Sequence, residues 1–231
     1  NFSSGEGSDS PLGVILPIKI SPGFTLAPIR INPFSSRLRV ASSLTFGISE
    51  VNSSNPRFVS RTSRVCSSMC IEVNLSSAFH TARLTIPYMK QKKWGRIINI
   101  SSVYGTTATP NRVTYVTTKT ALIGLTRSIA MDVAKDGITC NALCPGTVPT
   151  PPILERLAGF AKRDGITLAQ AERDYISTRH PTGRFVALKS VALFAVFLCG
   201  EAGVDITGAI LPVDGGWTAD GSWQSLRLKH R

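Results

Sequence analysis

The sequence predicts an α/β fold built on a doubly wound parallel sheet, and three observations predict it. From Cys70 onward, segments with helical apolar spacing alternate with short runs of strand character. Those runs are apolar throughout, as strands covered on both faces must be. Each closes on serines, on Pro-Gly or on Asp-Gly-Gly, and ligands of open α/β sheets bind beyond such strand ends.

The elements follow in order. Residues 71–93 carry Val73, Leu75, Phe79, Ala82, Ile86 and Met89 on one side and read as a helix that Gly95 ends. Residues 96–101 are Ile-rich and short, the signature of a buried strand. A second long helix covers 113–135 and stops at Asp136-Gly137. A second strand covers 138–143 and stops at Pro145-Gly146. Two short helices, 152–163 and 168–178, meet at Asp164-Gly165. Residues 190–199 read as a buried helix, and 206–213 as a last strand closing on Asp214-Gly215-Gly216.

Residues 1–70 are of another kind. They are rich in Ser, Pro and Arg, and Pro11, Pro17, Pro22, Pro28 and Pro33 cut every apolar stretch near them. Proline fixes φ and removes a donor, so neither a long helix nor a central strand fits there. The organisation expected is an irregular segment 1–70, a patterned domain 71–220 and a basic tail 221–231. The net charge of +12 divides into +4, +5 and +3 over these three parts. No basic stripe interleaves with aromatics, so a nucleic-acid platform is not expected.

The longest apolar run is residues 191–199, far short of the roughly 20 residues of a membrane span. No charged-then-apolar leader is seen at the N-terminus, so a signal peptide is not expected. Five cysteines in 231 residues do not make a disulfide framework, which suggests a reducing, cytoplasmic compartment. Cys66/Cys70 and Cys140/Cys144 share i,i+4 spacing, but the second pair sits in an apolar run, so buried thiols are expected and no metal.

One constellation carries chemistry. Ser102 ends the first strand of the patterned region; Tyr115 and Lys119 lie one turn apart near the start of the next helix; Asn74 lies near the start of the preceding one. Removing a hydroxyl proton during hydride transfer needs a base, and a free tyrosine with a pKa of about 10 is a poor one near neutrality. An ammonium one turn away favours the phenolate. A serine hydroxyl can hold an oxygen on which charge develops, and an asparagine can order water toward the lysine.

In this order, IEVNLSSAF (71–79), GRIINISSVYG (95–105), YVTTKTALIGLTRSIA (115–130), GITCNALCPGTV (137–148) and ITGAILPVDGGW (206–217) resemble the C-terminal part of the short-chain dehydrogenase/reductase family. The resemblance implies a Rossmann-like sheet, a nicotinamide cofactor (NAD, with NADP open) and a catalytic tetrad at Asn74, Ser102, Tyr115 and Lys119. It also implies that Tyr115 and Lys119 touch the cofactor. A cofactor loop falls on Pro145, Gly146, Thr147 and Val148, with Thr150 beyond it. The segment running to Asp214-Gly215-Gly216 would pack on a partner subunit, so a homodimer or homotetramer is implied.

Within the family, Asn111–Tyr115, Cys144–Val148, Leu154–Leu157 and Thr182–Phe185 are most similar to cytosolic 3-hydroxybutyrate dehydrogenases and sugar-acid relatives. Guanidinium groups bind carboxylates in pairs of hydrogen bonds. Arg112, Arg156 and Arg184 are therefore candidates for a small hydroxy-acid or keto-acid substrate, whose oxygen Ser102 would hold. His180, before Pro181, is expected to be exposed, the alternative being a polar residue of the substrate lid that the family places on the helical segment after the cofactor loop.

The family's first strands and its Thr-Gly-x-x-x-Gly-x-Gly phosphate turn are not recognisable in residues 1–70. An inactive chain that keeps the catalytic end without the cofactor end therefore stays open. So does a frameshifted or mis-spliced origin for that segment. A correctly framed transcript across the codons for Val65 to Val73 would count against such an origin.

Overall fold

The computed structural model describes residues 68–220 and the backbone of residues 14–15. The irregular character of the remaining N-terminal residues, the phosphate turn, Cys66 and the basic tail all lie outside the described residues. Four parallel strands form one sheet in the order β1 (Val14–Ile15), β2 (Gly95–Ile100), β3 (Ile138–Pro145) and β4 (Ile210–Val213). Val14 and Ile15 pair with Arg96 and Ile97, so the segment expected to be irregular contributes backbone to the sheet. β2 and β3 run in register from Gly95 opposite Ile138 to Ile100 opposite Leu143.

The helices are α1 (Ser77–Lys92), α2 (Val113–Val133), α3 (Pro151–Asp164), α4 (Leu168–Ser177) and α5 (Leu188–Cys199). Their distribution follows from the two-residue alternation of a strand. Ile97 and Cys140 point to one face, where they are buried with Ala82 and Met89 of α1 and Ile129, Ala130 and Val133 of α2. Ile98 and Leu143 point to the other, packed with Val191 and Leu198 of α5 and with Val186. The sheet is covered on both faces, which is why its strands carry no polar alternation.

Three expectations need correction. The helix over 190–199 was expected to be buried, but only Val191 and Leu198 are; Leu188, Leu193, Val196 and Phe197 are exposed. A helix apolar on all sides can press only one side on this sheet. Phe79 was assigned to the buried side of the helix over 71–93, yet it is half exposed, and α1 buries its small side chains Ala78 and Ala82 instead.

The last strand was expected over 206–213 but begins at Ile210. The Asn141 amide donates to the Ile206 carbonyl at 2.6 Å and accepts from the Ala209 amide at 3.0 Å. Together with the Gly208 amide on the Cys140 carbonyl and the Thr207 hydroxyl that accepts the Cys140 amide, this staple fastens the loop before β4 to β3. Among the described residues, no helix is long and apolar enough to cross a membrane.

Candidate active site

Parallel pairing brings the C-terminal ends of β2 and β3 side by side, with Ile100 opposite Leu143. Beyond β2 the backbone turns through Ser101 and Ser102 into a short 3-10 turn, Val103–Gly105. Ser102, almost fully buried, caps that turn by accepting the Tyr104 amide at 3.2 Å. Ser101 Oγ donates to the Lys119 carbonyl at 2.9 Å, tying the strand end to α2. A Cβ at Gly105 would lie 2.5 Å from Ser101 Oγ. Only glycine lets the turn approach α2 this closely.

Tyr115 stands in the first turn of α2 and Lys119 one turn later. The Lys119 ammonium lies 5.7 Å from the Tyr115 ring centroid and donates to the Ile100 carbonyl at 2.9 Å. It is thereby anchored on the end of β2 beside Ser102. Tyr104 meets Tyr115 edge-to-face at 6.3 Å between ring centroids, and meets Trp217 the same way at 5.6 Å. Asn74 lies in the middle of a π-helical turn, Glu72–Ser76, that leads into α1 and packs against α2. Single π turns inside helices recur at functional sites, because the widened ladder leaves backbone groups turned outward.

The residues expected to hold the cofactor follow β3. Gly146 N–H donates to the Val213 carbonyl, and the Thr147 carbonyl accepts from Val186. Thr150 occupies the N-cap position of α3. His180, expected to be exposed, is 1 % exposed. The Thr147 amide donates to its Nε2 at 3.0 Å, and its Nδ1 lies 2.8 Å from the Arg184 carbonyl. Burial is the main cause holding this imidazole below its ordinary pKa. Its ring centroid lies 5.5 Å from that of Trp217. The lid alternative marks His180 in the sequence but not its burial, and Trp217 is not a site candidate there; the His-Pro pair and the residue after Gly-Gly are the available signals.

The three candidate arginines differ. Arg112 is half-buried at the N-cap position of α2, one turn before Tyr115. Arg156 of α3 donates to the Tyr175 hydroxyl at 2.6 Å, joining α3 to α4. Arg179 stacks over the other partner of that contact, 3.8 Å from the Tyr175 centroid. The Arg184 side chain is exposed; its carbonyl is the part engaged.

Among the described residues, no group of three or more His, Cys, Asp or Glu is placed to hold a metal. Cys140 and Cys144 are buried in β3, and burial pushes the Cys140 thiol up to about 12.

The sequence model of the family described as Enoyl-(Acyl carrier protein) reductase matches residues 48–218. Its N-terminal end thus falls inside the Ser/Pro/Arg-rich segment. The chain is 44% identical over 149 residues to the D-beta-hydroxybutyrate dehydrogenase of Cupriavidus necator, a match covering 64% of this chain and 58% of that one. It therefore spans less than two thirds of the length of that relative. Among solved structures it resembles a short chain dehydrogenase family protein from Francisella tularensis at 26% identity and a TM-score of 0.61, covering 68% of this chain and 63% of that one. It also resembles the L-sorbose reductase of Gluconobacter frateurii, solved with NADPH and L-sorbose, at 25% identity and a TM-score of 0.66, covering 72% and 62%. With a family match over most of its length and the parallel sheet of these structures, the chain belongs to the short-chain dehydrogenase/reductase family of oxidoreductases.

Proposed function

We propose that this protein interconverts a secondary alcohol and a ketone, with a small hydroxy acid such as 3-hydroxybutyrate as substrate. The observation that carries this reading is the anchoring of Lys119 on the Ile100 carbonyl, beside Tyr115 and at the strand end that Ser102 closes. A nicotinamide dinucleotide, NAD or NADP, supplies the hydride-accepting ring when bound. The residues present fit its nicotinamide end: a hydroxyl, a phenol and an ammonium gather at two adjacent strand ends, next to the loop of Pro145, Gly146, Thr147 and Val148. Thr150 stands just past that loop.

In this mechanism Tyr115 takes the proton of the substrate hydroxyl. The Lys119 ammonium favours the phenolate, and its strand-end carbonyl contact keeps it in place for that role. Ser102 donates to the substrate oxygen as charge develops there. Asn74, on its π turn, orders water that carries the hydroxyl proton from Lys119 to solvent, and delivers one by the same route when the ketone is reduced. Arg112, at the start of α2, and Arg156, on α3, receive the substrate carboxylate, and Arg184 follows the α3–α4 segment that covers the substrate.

The test uses the full chain. NADH and NADPH binding is followed by fluorescence, and oxidation of 3-hydroxybutyrate by the appearance of reduced nicotinamide. Binding of one cofactor with turnover of the hydroxy acid is expected. No binding of either at millimolar concentration would overturn the reading and leave the inactive alternative standing.

A further inference from the structure

We propose that His180 is a positioning residue that latches the cofactor loop through the Thr147 amide, and that protonation of its Nε2 opens the latch. This rests on the reading of residues 145–148 as the cofactor's loop. Thr147 N–H donates to Nε2 at 3.0 Å, so that nitrogen must carry a lone pair. Nδ1 lies 2.8 Å from the Arg184 carbonyl, which can only accept, so Nδ1 carries the proton. One tautomer of the neutral ring satisfies both contacts. An imidazolium would set Nε2–H against Thr147 N–H, donor against donor.

The loop has no slack to avoid that conflict. A Cβ at Gly146 would stand 2.9 Å from Nε2 and 3.0 Å from the Asp214 backbone. The Thr147 carbonyl is held by the Val186 amide at 2.9 Å. The peptide of Thr147 is thus clasped on both sides by residues 180–186.

The charged groups around the ring do not rescue the protonated form. Burial disfavours it first, Asp214 favours it and Arg179 opposes it. The Asp214 oxygens are already taken by the amides of Gly216 and Thr218 and by the Thr218 hydroxyl. Arg184 offers its carbonyl, which accepts in either state. Trp217 covers the ring, so water does not reach the site freely.

The full chain is compared as wild type, His180→Gln and His180→Leu. Gln offers an acceptor oxygen at the reach of Nε2 and does not titrate; Leu offers none. NADH and NADPH affinities are measured from pH 5 to 8, with imidazole nitrogen NMR and Thr147 amide exchange on the cofactor-free chain.

At pH 7 the wild type should show a bare Nε2 and a protected Thr147 amide, and that protection should fall as His180 titrates. His180→Leu should weaken cofactor binding about tenfold, because a buried N–H loses its acceptor. His180→Gln should restore most of the affinity and flatten its acid-side pH dependence. A protonated Nε2 at pH 7, or Thr147 exchange indifferent to the His180 titration, overturns the latch. Wild-type affinity in His180→Leu, or an unaltered pH profile in His180→Gln, does the same. Absence of cofactor binding by the wild type, with the NMR results as expected, instead overturns the reading of the loop.

Discussion

A tyrosine, a lysine and a serine at one strand end matter through their separate contacts. Lys119 is held by a backbone carbonyl that no side-chain substitution in the site can remove. Replacing Tyr115 by Phe should therefore leave α2 and the lysine in place and take away only the hydroxyl proposed as proton acceptor. The expected result is a fall in kcat of about 10²–10⁴-fold with cofactor affinity retained, read by steady-state kinetics beside a cofactor titration. Equal loss of affinity would show that the ring's role is structural. Arg112 makes a different prediction. Arg112→Ala should raise KM for 3-hydroxybutyrate far more than KM for a neutral secondary alcohol, and equal effects on the two would remove it from the substrate site.

His180 also links stability to pH. Its folded pKa is depressed by burial, so the unfolded chain binds the proton more readily, near its ordinary value of about 6.5. The stability it confers is complete above that value and is lost as pH falls below it toward the folded pKa. The thermal midpoint should drop on acidification through this window, and His180→Gln should reduce the slope. An unchanged slope would mean that other groups dominate.

At the scale of elements, alternation along β2 and β3 decides what each face can hold. Asn141 points away from the Cys140 face and uses its amide to close the loop before β4. Asn141→Ala should leave two part-buried backbone groups without this partner and lower unfolding free energy by about 2 kcal/mol, measured by urea denaturation; a loss under about 0.5 kcal/mol would show that water replaces the amide. Cys140 and Cys199, with thiols pushed up to about 12 and about 11 by burial, should resist alkylation at pH 8 in the native chain. Peptide mapping after brief iodoacetamide treatment checks this.

These elements also mark how far the sequence was legible. The helices and internal strands were readable because apolar period tracks sheet and helix faces directly. The late start of β4 was not, because Asn141 acts across 65 residues of sequence on Ile206. His180 was misjudged for a related reason. Nothing local announces that a histidine beside a proline is buried, and besides the nearby Arg184 carbonyl its ring meets the loop after β3 and Trp217. Tyr115 and Lys119 were visible because one helical turn joins them.

For the whole molecule, α5 carries a run of exposed apolar side chains among the described residues. Leu193 and Phe197 lie one turn apart on it, both exposed, with Leu188 and Val196 also exposed nearby. Soluble monomers rarely leave such a face open. The homodimer or homotetramer that the family resemblance implies would seat a second copy on this face. A twofold contact would use the same patch on both chains, so each substitution counts twice. Burying a Leu or Phe side chain is worth about 2 kcal/mol. Leu193 and Phe197 are already half buried within the chain, so charging both should weaken a twofold contact by about 4 kcal/mol, roughly three powers of ten in dissociation constant. Size-exclusion chromatography with light scattering should give a multiple of 24.8 kDa for the wild type and a smaller assembly for Leu193→Glu/Phe197→Glu. The double variant should keep its helical circular dichroism, since Val191 and Leu198, the buried side of α5, are untouched. A wild type that runs as a single chain at every concentration, or a variant whose assembly is unchanged, would assign α5 some other role.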